Sequence, residues 1–92
     1  MDGKTVKAGV MKVLQGIRRK QGFPNEALSR STVALKLEKF DSQMGLVATI
    51  KIARELGITI PDKTNIFVSK DGRQCLTVQQ SVDRILESVQ AA

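Results

Sequence analysis

Apolar residues recur along this chain at helical spacing in three stretches, separated by two longer stretches in which no period holds. Val6, Val10, Val13, Leu14 and Ile17 fall at i, i+4, i+7, i+8 and i+11, one face of an α-helix. Lys4, Lys7, Lys12, Arg18, Arg19 and Lys20 lie off that face. The spacing predicts a helix over about 4–20, with cations in the last turn, where the negative end of the helix dipole favours them. Gly22 and Pro24 then end it. Leu46, Val47, Ile50, Ala53 and Leu56 repeat the helical spacing, with Asp41 or Ser42 available as N-cap and Gly57 as the C′ residue. The second helix is expected over about 42–56. Val78, Val82, Ile85, Leu86 and Val89 predict a last helix over about 78–90. It opens on Thr77-Val78-Gln79-Gln80, which places Thr at the N-cap and Gln at N3 of a capping box.

The connecting stretches are harder to read. Residues 21–41 scatter Phe23, Leu28, Val33, Leu35, Leu37 and Phe40 without a period, and a stretch so long and so apolar is expected to pack over the core. Ile58 to Asp62 reads as an extended exit from the second helix, because a residue before proline avoids the helical region. Between Pro61 and Leu76 two short apolar runs flank Ser69-Lys70-Asp71-Gly72-Arg73, and Asp-Gly between such runs signals a turn closing a small hairpin over 66–76. A short helix over 62–68 is the alternative. The expectation is an all-α fold: one domain over 1–92, a small bundle of three main helices with a short fourth element.

Composition narrows the chemistry. The 92 residues include no His and one Cys, so a zinc site and the usual general base for a Ser or Cys nucleophile are both missing. An ordinary hydrolase is therefore nearly excluded, and the chain reads as a non-enzyme. Cys75 is expected to be a small buried hydrophobe rather than a nucleophile. The N-terminus lacks the apolar run of a signal peptide, no window is apolar enough to span a membrane, and a lone thiol fits a reducing cytoplasm. Fifteen Lys+Arg against nine Asp+Glu give a net charge of +6, which points toward an acidic partner.

The order of these features is an amphipathic helix, a long loop, Asp41-Ser42 at a helix start, Gly57-Ile58-Thr59-Ile60-Pro61, and a Thr77-Val78 opening of the last helix. That order resembles the acyl carrier and peptidyl carrier protein family, over about Val6 to Val89. The family's pattern is Leu-Gly-x-Asp-Ser-Leu, an apolar helix, and a Gly-Ile-x-Ile-Pro exit. Pro61 stands 19 residues beyond Ser42, as is typical of it. The resemblance implies that Ser42 carries a covalent 4′-phosphopantetheine arm derived from coenzyme A, with Asp41 beside it. A separate phosphopantetheinyl transferase attaches the arm, and loading and acyl-using enzymes are the other partners. The arm's thiol would hold a fatty acyl, polyketide or aminoacyl group as a thioester, and the carrier is expected to be a monomer. The phosphodiester suits the first turn of a helix, where free N–H groups and the dipole favour an anion.

The chain also departs from the pattern. Gln43 stands where a leucine usually follows the serine, and Glu38-Lys39-Phe40 lacks the glycine two residues before the aspartate. The family's second helix is rich in acids, whereas this one carries Lys51, Arg54 and a single acid, Glu55. Gln43, Met44, Lys51 and Arg54 are the candidate partner-docking residues; for the two cations a plain solvated face is the simpler reading. Two alternatives stay open. One is a protein-interaction module of the same fold without the arm. The other is a DNA-binding helix-turn-helix, since Ala53 to Thr59 resembles the first helix and turn of such units. Its recognition helix would occupy 60–70 and offer Lys63, Thr64, Asn65 and Lys70 to DNA, with no Arg for guanine.

Overall fold

The computed structural model describes residues 1–90. Helix α1 spans Gly3–Lys20, α2 spans Ser42–Leu56 and α3 spans Val78–Gln90. A 3₁₀ turn over Ala34–Lys36 adds a short element inside the first connection, and no strands form among the described residues. Each helix starts where a polar side chain can take a free N–H. The Asp2 carboxylate accepts from the Thr5 amide at 2.8 Å and Asp41 from the Met44 amide at 3.0 Å. The capping box at α3 is complete: the Gln80 amide donates to Thr77 Oγ1 at 3.1 Å, and the Thr77 amide donates to Gln80 Oε1 at 2.9 Å. Gly57 ends α2 in the left-handed region, at φ 67°.

Helix α1 is the centre of the packing and lies against both α2 and α3. Its Val6, Val10, Leu14 and Ile17 meet Ala48 and Ile52 of α2 and Val78, Val82 and Ile85 of α3 in one buried cluster. Helices α1 and α2 run antiparallel. Gln21, just past α1, reaches the Lys39 carbonyl just before α2, while Lys12 pairs with Glu55 at 2.7 Å toward the other end. Gly9 permits close approach there, since a Cβ would come within 2.6 Å of Leu56 Cδ2.

The segment over 21–41 packs as expected, with Ala34 and Phe40 buried and Leu28, Leu35 and Leu37 against the core. What holds it differs from the helical pattern's reading of Arg18. Arg18 lies off the apolar stripe, yet it is 1% exposed. Its guanidinium binds both carboxylate oxygens of Glu26, the Gln21 side chain and the Glu38 carbonyl, and it lies 4.3 Å from the centre of the Phe23 ring. The loop supplies every one of these partners, so the arginine is buried by the loop it anchors.

Residues 62–68 form no helix. The hairpin is reduced to one antiparallel bridge, Val68 to Cys75, closed at Asp71-Gly72 with Gly72 at φ 73°. Across it the Leu76 amide donates to the Phe67 carbonyl at 2.8 Å. Phe67 turns inward, whereas Cys75 is exposed and not the buried hydrophobe expected. In extended backbone neighbouring side chains point to opposite sides, so Cys75 faces out while Leu76 beside it is half-buried. Among the described residues no helix is long and apolar enough to cross a membrane.

One buried group is unsatisfied. Ser81 on α3 is fully buried, and its hydroxyl has no partner among the described residues. Ser81→Ala removes that stranded hydroxyl and improves helix propensity, so it is expected to raise stability by about 1 kcal/mol. A urea titration of the two proteins checks the sign; a fall in the midpoint with unchanged slope contradicts it.

Candidate functional site

The candidate site is built around the start of α2. Asp41 is extended, at φ −93° and ψ −174°, and its side chain and carbonyl take the amides of Met44 and Gly45. The amides of Ser42 and Gln43 keep no acceptor among the described residues, as first-turn amides do. Asp41, Ser42 and Gln43 are all exposed, while Met44 is half-buried against the core. The position two before Asp41, where the carrier pattern has glycine, is Lys39, and it adopts φ 62°. This is the left-handed conformation for which glycine is the default. The Lys39 carbonyl is held by Gln21, and its ammonium lies 5.9 Å from the Phe23 ring centre.

A second segment locks the same helix end. Asn65 Nδ2 donates to the Ser42 carbonyl at 3.2 Å, and Asn65 Oδ1 accepts from the Phe67 amide at 2.9 Å. The asparagine fits because residue 45 is glycine: a Cβ there would come within 2.5 Å of Asn65 Nδ2. One turn further, the buried Thr49 hydroxyl donates to the Gly45 carbonyl and accepts from the Ile66 amide. Arg84 of α3 closes the back by donating to the carbonyls of Asn65 and Val68. Ser42 is therefore exposed at the tip of a helix turn that is tied down on its inner side. Asn65, Thr49 and Arg84 were not readable as site residues. In the sequence Asn65 stands out only as a DNA contact of the helix-turn-helix alternative, and nothing in the local pattern pairs any of them with α2.

Beside this turn runs an apolar groove of about 550 Å³ between α2 and the 57–64 segment, lined by Leu46, Ile50, Ala53, Ile58 and Ile60, with Arg54 and Lys63 also on its wall. A smaller cavity of about 360 Å³ lies across the same segment, toward Ile66 and Ile85. The outer face of α2 leaves Val47 and Ile50 exposed, at 41% and 55%. Lys51 and Arg54 are exposed on the same helix, and Glu55, its single acid, is paired with Lys12. The structure thus places Asp41, Ser42 and Gln43 together at one end of α2. Lys51 and Arg54 lie two to three turns away, along an apolar strip.

No helix forms over 60–70, the stretch that a helix-turn-helix needs for recognition. No group of three or more His, Cys, Asp or Glu side chains is placed to hold a metal ion among the described residues. No protein-family model, no curated protein and no solved structure matches the chain significantly.

Proposed function

We propose that the chain is a carrier protein that holds an acyl or aminoacyl group as a thioester on a 4′-phosphopantetheine arm attached to Ser42. The observation that carries this reading is the exposed Ser42 at the start of α2, held from behind by Asn65 and continuous with an exposed apolar strip and a groove. The residues fit such a group. A phosphodiester on Ser42 Oγ would find the open amides of the first turn, with Asp41 occupied in capping and not competing for them. When bound, the arm supplies the terminal thiol that forms the thioester. Ser42 offers an exposed hydroxyl. Asn65 fixes the carbonyl of that residue, and Leu46 and Ile50 continue the helix face toward the groove. Lys39, at the position of the carrier pattern's glycine, adopts the left-handed conformation that glycine favours, which supports the reading.

No catalytic base is needed on this chain, since the transferase activates the hydroxyl and other enzymes make and use the thioester. The role fits biosynthesis of fatty acids or secondary metabolites. Incubation with coenzyme A and a promiscuous phosphopantetheinyl transferase, under reducing conditions that strip any adduct from Cys75, is expected to add the mass of one phosphopantetheine. Ser42→Ala is expected to add none. Failure of the native chain to gain mass with several transferases, read on the intact protein, overturns the carrier reading and leaves an interaction module of this fold.

A further inference from the structure

The positive charge of this chain is not spread evenly. Helix α1 carries six cations and no acid, and α2 carries two cations and one acid. The two helices together hold more positive charge than the whole chain nets, which is +6, so the remainder is slightly acidic. One of those cations, Arg18, is buried against Glu26, and the acid of α2, Glu55, is neutralised by Lys12. Among the described residues the exposed cations of the two helices not paired with an acid are Lys4, Arg19 and Lys20 on α1 and Lys51 and Arg54 on α2. On the helical wheel Lys4, Lys12 and Arg19 share one sector of α1, and Lys12 turns that sector toward α2. The apolar side chains Val47 and Ile50 stand uncovered on the outer face of α2, and Ile50 forms the lip of the groove.

We infer that the α1–α2 face is a docking surface for an acidic amphipathic helix of a partner protein, with an apolar ridge that seats against Val47 and Ile50 and in the groove. Charge complementarity selects an acidic partner. The groove selects a protruding apolar side chain, which a protein helix provides and a flat bilayer surface does not. Single-stranded nucleic acid is disfavoured by the lack of a stacking platform, and duplex DNA by the apolar side chains among the cations. The chain has no Trp or Tyr, Phe40 and Phe67 are buried, and Arg18 lies over Phe23. This inference goes beyond the carrier reading and does not depend on modification of Ser42.

The test uses the unmodified full chain and a synthetic helical peptide with leucines at i, i+3, i+4 and i+7 flanked by glutamates. Binding is read by fluorescence anisotropy and by amide chemical-shift mapping. Shifts are expected to concentrate on α2 around Val47–Arg54 and on the adjoining side of α1. Raising salt from about 50 to about 500 mM is expected to weaken binding roughly tenfold or more. Lys51→Glu with Arg54→Glu is expected to weaken it about tenfold, with a further loss on adding Lys4→Glu and Arg19→Glu. Ile50→Ser is expected to cost about tenfold as well, because an exposed apolar anchor is lost. Ser42→Ala is expected to bind as the native chain does, which separates this inference from the carrier reading. It is overturned by the absence of binding, or by equal binding of a peptide with scrambled leucines. Equal or tighter binding of a duplex DNA oligomer or of phosphatidylserine vesicles overturns it too.

Discussion

Arg18→Ala is expected to destabilise the protein by about 2 to 3 kcal/mol, from the lost hydrogen bonds of a buried cation and the lost packing of its stem. That is a sizeable part of the total for a domain of this size, where about 5 to 15 kcal/mol is usual. The cause lies in what the guanidinium holds. Arg18 is 1% exposed, and its four side-chain bonds all run to residues of the segment that follows α1: Glu26 twice, Gln21 once and the Glu38 carbonyl once. Truncation leaves the Glu38 carbonyl without this donor and uncovers the face of Phe23. Loss is expected first in the segment itself, so amide exchange over 21–40 should accelerate more than exchange in α3. Arg18→Met is the companion variant. It keeps most of the aliphatic packing and removes the charge, so it separates the stem from the guanidinium.

The same pair has a pH signature. The hydrogen bond from Arg18, with its charge adding to it and outweighing the opposing effect of desolvation, holds the Glu26 carboxyl below its ordinary value. A carboxyl whose folded pKa is depressed contributes stability that is fully present above the unfolded pKa and is lost as pH falls through the folded value. Native stability should therefore fall on the acid side of the carboxyl range. Arg18→Ala should show a shallower fall there, because Glu26 then titrates alike in both states. Urea midpoints measured across that range, with an identical acid limb in the two proteins, would show that the pair is not responsible.

The helices were legible in the sequence because each is specified twice, by an apolar stripe and by its caps. Asp41, Gly57 and the Thr77–Gln80 box stand where the pattern puts them. The segments between were only partly legible, since what orders them is not periodic. Arg18 reads as a solvent cation by its angle on the helix, and only the loop folding back over it makes it a core residue. Cys75 reads as apolar by type, but the bridge to Val68 leaves it exposed, with its neighbour Leu76 half-buried. Lys39 reads as the loss of a glycine, yet φ there is 62°. A left-handed lysine costs about 1 to 2 kcal/mol, little enough for the bonds on either side of it to hold. The cap pattern puts Asp41 and Ser42 at a helix start, and the family resemblance alone makes them a candidate site. The inner support of that site was not legible, because Asn65, Thr49 and Arg84 meet α2 only through long-range contacts.

Phe67→Ala is expected to cost about 3 to 5 kcal/mol and to disable the site without touching it. Phe67 is fully buried, and its ring meets Phe40 edge to face, with centroids 5.8 Å apart at 86°. Phe40 ends the segment that Arg18 holds, and Phe67 lies in the segment that Arg84 and Thr49 hold, so this aromatic pair joins the two irregular stretches beneath the start of α2. The Phe67 amide also orients Asn65, whose other end binds the Ser42 carbonyl. Cutting the ring away leaves a cavity that the flanking helices cannot close, and the 62–76 segment is expected to detach before the helices separate. Transfer of phosphopantetheine to Ser42 is then expected to slow even at temperatures where helical circular dichroism is intact. Phe67→Leu, which refills much of the volume, is expected to recover most of the stability and the transfer rate. Transfer to Phe67→Ala at the native rate, in a protein shown to be destabilised, would mean that the transferase needs only the Asp41-Ser42 turn and not the segment behind it.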